Sequence, residues 1–132
     1  MKILVCITHV PDTTSRIAFT ENNTKFDSSG VQYIIGPYDD YALARAVELK
    51  DETGGSITVL NVGTQETEPT IRKALAIGAD EAIRVNAEPT DSMFVAEQIA
   101  AVAKDGGYDM ILMGRESIDF NGGMVHGMVG EI

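Results

Sequence analysis

The chain has one cysteine, two histidines, four prolines and half as many basic as acidic residues, and each shortage excludes something. With Cys6 alone, no internal disulfide forms, which favours a reduced, cytoplasmic setting. The formal charge of −10, from 20 acidic against 10 basic residues, excludes a nucleic-acid or anionic-membrane surface, because either needs a basic patch. His9 and His126 stand 117 positions apart with a lone strand cysteine, so no metal ligand set or nucleophile–base pair is evident. The apolar run at residues 3–7 is too short to cross a bilayer and has no small-residue cleavage site, so neither a signal peptide nor membrane insertion is expected.

What is present suffices for one domain: 132 residues, 44% of them apolar, fill a single core. Residues 3–8 read as a strand apolar on both faces, hence central in a sheet covered by helices. An excursion over residues 9–32 follows, rich in turn formers (Glu21 to Thr24, Asp27 to Gly30), with one hairpin expected between residues 18–20 and 33–35. Asp39 or Asp40 is expected to cap a first helix with Leu43, Ala46 and Val47 facing inward, ended by Gly54-Gly55. After a strand at 57–62, Thr64 or Thr67 caps a helix that has Pro69 in its first turn, Ile71, Ala74 and Leu75 inward and Gly78 as its stop. A strand at 82–85 leads to a third helix, capped within Thr90-Asp91-Ser92, with Val95, Ile99 and Val102 facing the core and Phe94 at the start of that face.

The chain is organised around its last stretch. Residues 110–114 read as a buried strand that runs into a polar loop containing Gly122-Gly123 and then a terminal helix. This is the layout of a phosphate site, where backbone N–H groups meet an anion beyond the carboxyl end of a parallel strand; a plain glycine turn is the other reading. The order β-α-β-α-β-α-β predicts an α/β fold, a parallel sheet with helices on both faces and a small hairpin insert.

Motifs narrow the chemistry. The first strand is followed by Thr8-His9-Val10-Pro11 where a dinucleotide dehydrogenase carries Gly-x-Gly-x-x-Gly and an adenylate-forming pyrophosphatase carries Ser-Gly-Gly-x-Asp-Ser, and no P-loop occurs. The pairs Asp39-Asp40 and Glu66/Glu68 fall at helix starts, where capping explains them without acid–base chemistry.

Four blocks carry a family resemblance: MKILVCITHVPDT from Met1, GPYDDYALARA from Gly36, TIRKALAIGAD from Thr70 and GRESID from Gly114. In this order and spacing they resemble the β subunit of electron transfer flavoprotein. The resemblance covers essentially the whole chain, which then corresponds to the N-terminal domain of a subunit about twice as long. It implies an adenine-nucleotide α-hydrolase-like (Rossmann-like) fold and a non-catalytic carrier. The carrier pairs with an α subunit that holds redox-active FAD, taking electrons from acyl-CoA-type dehydrogenases to a quinone reductase or another acceptor. The β subunit binds a structural AMP or, in the electron-bifurcating branch, its own FAD.

Carried over by position, the nucleotide site comprises Cys6, Ile7, Thr8, Gly36, Val62, Gly63, Asp119, Asn121, Gly122, Gly123, Met124, Val125, His126 and Gly127, with no metal. Tyr38 stands beside the adenosine wall, and Arg115 is a solvent-facing helper. The chain departs from the pattern at Gly36-Pro37 (commonly Asn-Pro), at Met124-Val125-His126 (commonly Gln-Thr-Gly or Gln-Val-Gly) and at Phe120-Asn121 (commonly Gly-Asp or Asp-Asp). Each lost hydrogen bond is worth on the order of 1 kcal/mol. A universal-stress-protein-like nucleotide module is the third reading, but Gly114 and Gly123 do not give the spacing of its glycine loop.

Overall fold

The computed structural model describes residues 1–15, 17–20, 22–23 and 25–132. Glu21 and Thr24, two of the turn formers named above, and Arg16 lie outside the described residues. In chain order the strands are β1 Lys2–Cys6, β2 His9–Pro11, β3 Phe19–Thr20, β4 Lys25–Phe26, β5 Tyr33–Ile35, β6 Ser56–Gly63, β7 Glu81–Asn86 and β8 Met110–Met113. The helices are α1 Pro37–Thr53, α2 Glu68–Ile77, α3 Ser92–Gly106 and α4 Val125–Glu131, with a 3₁₀ turn at Gln65–Thr67 before α2.

A parallel sheet in the order β7-β6-β1-β8 forms the middle layer. Because side chains alternate along a strand, β1 splits its apolar run between two cores. Ile3, Val5 and Ile7 join Leu43 and Ala46 of α1 and Ile71 and Ala74 of α2. Leu4 and Cys6 face Ala96 and Ile99 of α3 and Val129 of α4. Helices therefore cover both faces, as expected of an α/β chain.

The remaining strands revise the sequence reading. Residues 33–35 do not pair with 18–20: β5 runs antiparallel to β2, whereas β3 pairs with β4. Two-residue strands carry too little periodicity to announce a partner. Strand β8 is the edge of the sheet, not a buried strand; Ile111 is 37% exposed, and Gly114 lies past its end.

Helix starts differ as well. Helix α1 begins at Pro37 with Gly36 as N-cap, so neither Asp39 nor Asp40 caps it, and proline at the first helical position supplies the preset φ instead. Neither Thr64 nor Thr67 caps with its side chain. Asp91 does cap α3, accepting from Phe94 N–H at 2.8 Å. Leu75, expected inward, is an exposed apolar residue, while Ile71 and Ala74 are buried. On α3, Ile99 is buried beside Ala96 and Ala100, and Val95 and Val102 pack half-buried against the same core.

Carboxylates pin the amino edge of the sheet. Asp80 accepts from the backbone N–H of Ile57 and from Lys50 Nζ, and Asp109 accepts from the backbone N–H of Lys2. Leu43 is fully buried between α1 and the sheet, so Leu43→Ala is expected to destabilise the domain by about 2–5 kcal/mol in urea unfolding.

Candidate functional site

The chain leaves β1 through an excursion and α1 to reach β6 on one side, moves outward to β7, and returns through α3 to β8 on the other side of β1. Connections thus diverge between β1 and β8, and in open α/β sheets ligands settle beyond the carboxyl ends of strands at such a switch point. A cleft of about 600 Å³ opens there, within the usual size of small-molecule sites.

Its floor comes from the strand ends: Cys6, Ile7 and Thr8 after β1, Asn61, Val62 and Gly63 of β6, and Met113 and Gly114 at β8. One wall is apolar, made by Leu60, Val62, Val95 and Ile99. The rim is polar and mostly acidic, with Glu66, Glu88, Asp91, Glu116 and Asp119 against Arg115, His9 and His126.

Asp39 sets the distance between the ends of β1 and its edge neighbour β8. Only 5% exposed, it accepts from the Thr8 backbone N–H (3.0 Å) and hydroxyl (2.5 Å) with one oxygen and from the Gly114 backbone N–H (3.0 Å) with the other. Two glycines make room for it: a Cβ on Gly114 would collide with Asp39 Oδ1, and one on Gly36 with Thr8 Oγ1 and Asp39 Oδ2. Burial raises the Asp39 pKa above the ordinary aspartate value, and the bonds from Thr8 and Gly114 offset this only in part.

Other side chains are equally committed. Burial, aided by the Asp39 charge, pushes the Cys6 thiol up to about 12, so Cys6 is a packing residue and no nucleophile. His9 stacks on Tyr33 with ring centroids 4.2 Å apart, and its Nδ1 lies 2.7 Å from Thr70 Oγ1. Burial lowers its pKa, against a smaller opposing pull from Glu66. Arg84 donates to the Gly63 carbonyl at 3.1 Å and fixes the end of β6.

Of the positions expected at the site, Cys6, Ile7, Thr8, Val62, Gly63, Asp119, Gly122, Val125 and His126 line the cleft; Gly36, Asn121, Gly123, Met124 and Gly127 do not. Gly36 stands behind Thr8 and Asp39. The loop after β8 closes on itself: Ser117 and Gly122 form a β-bridge, Asp119 accepts from the Ser117 hydroxyl and the Phe120 N–H, and Asn121 takes the left-handed turn conformation at φ 53°. Phe120, 89% exposed, stands at the cleft mouth. Tyr38 does not line the cleft but packs under Arg115, the guanidinium carbon 5.4 Å from the ring centre.

Sequence reading missed Asp39 as a tertiary acceptor, Asn61 and Arg84. Asn61 had a signal of its own, an amide within the otherwise apolar stretch at 59–62. No group of histidine, cysteine and carboxylate side chains able to hold a metal occurs among the described residues, nor is any helix among them long and apolar enough to cross a membrane.

A family model for the electron transfer flavoprotein domain matches residues 23–132. The chain is 34% identical to electron transfer flavoprotein subunit beta of Bacillus subtilis over 136 positions, covering all of this chain and 52% of that protein. It is 37% identical to acryloyl-CoA reductase electron transfer subunit gamma of Anaerotignum propionicum, covering 90% and 46%. It is 36% identical to protein FixA of Azotobacter vinelandii, covering 90% and 44%. The chain spans about half the length of the curated relatives it matches.

Asp39→Ala strands two strand-end N–H groups and should cost about 1–3 kcal/mol by denaturant titration. Since the folded-state pKa of Asp39 is raised, the native state holds its proton to higher pH than the unfolded chain. The stability this proton confers is full below the unfolded pKa and lost as pH rises through the folded one, and Asp39→Asn should flatten that part of the stability–pH curve.

Proposed function

Because the chain belongs to the electron transfer flavoprotein domain family, we propose that it acts as a β-type subunit of such a carrier, with no turnover of its own. In this reading it pairs with an α subunit that holds the redox-active FAD. The assembly collects electrons from dehydrogenases of the acyl-CoA type and delivers them to a quinone reductase or another acceptor. The cleft takes a structural AMP.

The observation that carries the nucleotide part is the cleft itself, of mononucleotide size and placed where the connections diverge beyond β1 and β8. The apolar wall of Leu60, Val62, Val95 and Ile99 suits a flat base. The phosphate falls to the side of Gly122, Val125 and His126, with Arg115 as the nearest fixed cation on the lining. Two features weaken the hold on that phosphate. Arg115 is already paired with Glu116 at 3.2 Å, and the rim carboxylates repel an anion. The base and sugar therefore carry more of the binding than the phosphate does. Bound AMP would contribute no electron chemistry here; it fills the cleft and stiffens the strand ends that Asp39 already ties.

Co-purification with the α partner, denaturation, and chromatography of the released nucleotides test this. One FAD and one AMP per heterodimer is the expected result. Two FAD would assign the bifurcating branch, FAD alone would remove the structural nucleotide, and failure to form a heterodimer would overturn the carrier reading.

A further inference from the structure

An asparagine amide is lost when the backbone nitrogen of the next residue attacks the side-chain carbonyl carbon. The rate depends on what that next residue carries on its Cα and on how firmly the amide is held. The chain has five asparagines, and only Asn121 precedes a glycine. Asn61 precedes a valine and is buried in β6, where its Nδ2 donates to the Ile7 carbonyl at 3.0 Å. Asn86 precedes an alanine, and its Oδ1 accepts from Arg84 at 2.8 Å. Asn22 and Asn23 precede an asparagine and a threonine, both of which carry a Cβ beside the attacking nitrogen.

Asn121 differs on each count. It is exposed, as are Asp119 and Phe120 before it, so water reaches the loop. Among the described residues no hydrogen bond holds its side-chain amide; the loop is closed through the backbone, by the Ser117 N–H on the Gly122 carbonyl at 3.1 Å. The flank of Gly122 is open as well, since a Cβ there would meet nothing within 4 Å. An unhindered nitrogen, an unheld amide and access of water thus coincide at one peptide bond.

We propose that Asn121 is a site of spontaneous covalent modification in the folded protein. The Gly122 nitrogen forms a bond to Asn121 Cγ and ammonia leaves, which closes a five-membered succinimide ring. Water then opens the ring. Attack at the side-chain carbonyl restores the original peptide bond and leaves aspartate, whereas attack at the main-chain carbonyl leaves Gly122 linked through Cγ, as isoaspartate. One water enters and one ammonia leaves, with no change of oxidation state. Either product adds a negative charge two residues from Asp119, and isoaspartate also lengthens the main chain by one carbon just before the Ser117–Gly122 bridge. Because Asp119, Phe120 and Gly122 line the cleft and Asn121 does not, the change falls beside the rim and leaves the strand ends as they are.

The test holds the purified protein, still folded, in mildly alkaline buffer for days, then separates it by charge and maps its peptides by mass spectrometry. An acidic form is expected to accumulate, with the amide-to-acid mass change in the peptide carrying residue 121 and isoaspartate as the larger product, ahead of any change at the other asparagines. Gly122→Ala should slow its appearance severalfold by crowding the nitrogen. That variant is expected to fold, because Gly122 is not among the left-handed glycines and has room for a Cβ. A folded protein that stays unmodified while its urea-unfolded form changes at residue 121 would overturn the proposal, and so would earlier modification at another asparagine. An equal rate in Gly122→Ala would overturn it too, by showing direct hydrolysis of the amide without the ring.

Discussion

The hydrogen bonds of one buried carboxylate decide the shape of the carboxyl edge. Asp39 bridges the chain just past β1 to the chain just past β8, and it reaches both because α1 starts immediately beneath them. These two strands are neighbours in the sheet, but their continuations diverge, and backbone N–H groups at such a fork have no ladder partner. A neutral side chain could satisfy one of them. A carboxylate, with two oxygens and several lone-pair directions, satisfies Thr8 and Gly114 together. The glycines at 36 and 114 then follow from packing, because this oxygen arrangement leaves no volume for a Cβ.

The same device recurs at the opposite edge, where Asp80 and Asp109 take up the N–H groups of Ile57 and Lys2. Part of the strong acidity is thus structural, spent on backbone donors at strand ends. Five more carboxylates, Glu66, Glu88, Asp91, Glu116 and Asp119, stand on the cleft rim, where they set a repulsive field for anions. Backbone satisfaction and the charge of the cleft rim draw on one residue type, which is why composition alone described neither.

Legibility followed the physics of each element. Strands β1 and β6 were readable because a strand covered on both faces is predominantly apolar, and α3 because Asp91 caps it locally. Strand β8 looked the same in sequence but lies at an edge, a property of the sheet order that no window of residues contains. Asp39 was misread for the opposite reason: an aspartate three residues after Gly36 satisfies every local rule for a helix start, and only the folded chain shows that its partners lie 31 and 75 positions away. Of the positions carried over by resemblance, those at the ends of β1 and β6 reached the cleft, whereas Gly36 stands behind Thr8 and Asp39. Those in the loop after β8 were divided, because its internal turn points Asn121 and Gly123 away.

Cys6 lies at the floor of the cleft yet belongs to the core, protonated and covered by α3 and α4. As the sole thiol of the sequence, it is a built-in clock. A thiol reagent meets it only when the layer above β1 lifts or the domain unfolds, so the rate of labelling counts opening events. Anything that seats in the cleft and holds that layer down slows the clock. The chain thus carries in its own sequence a reporter group for how often the floor of its cleft comes apart.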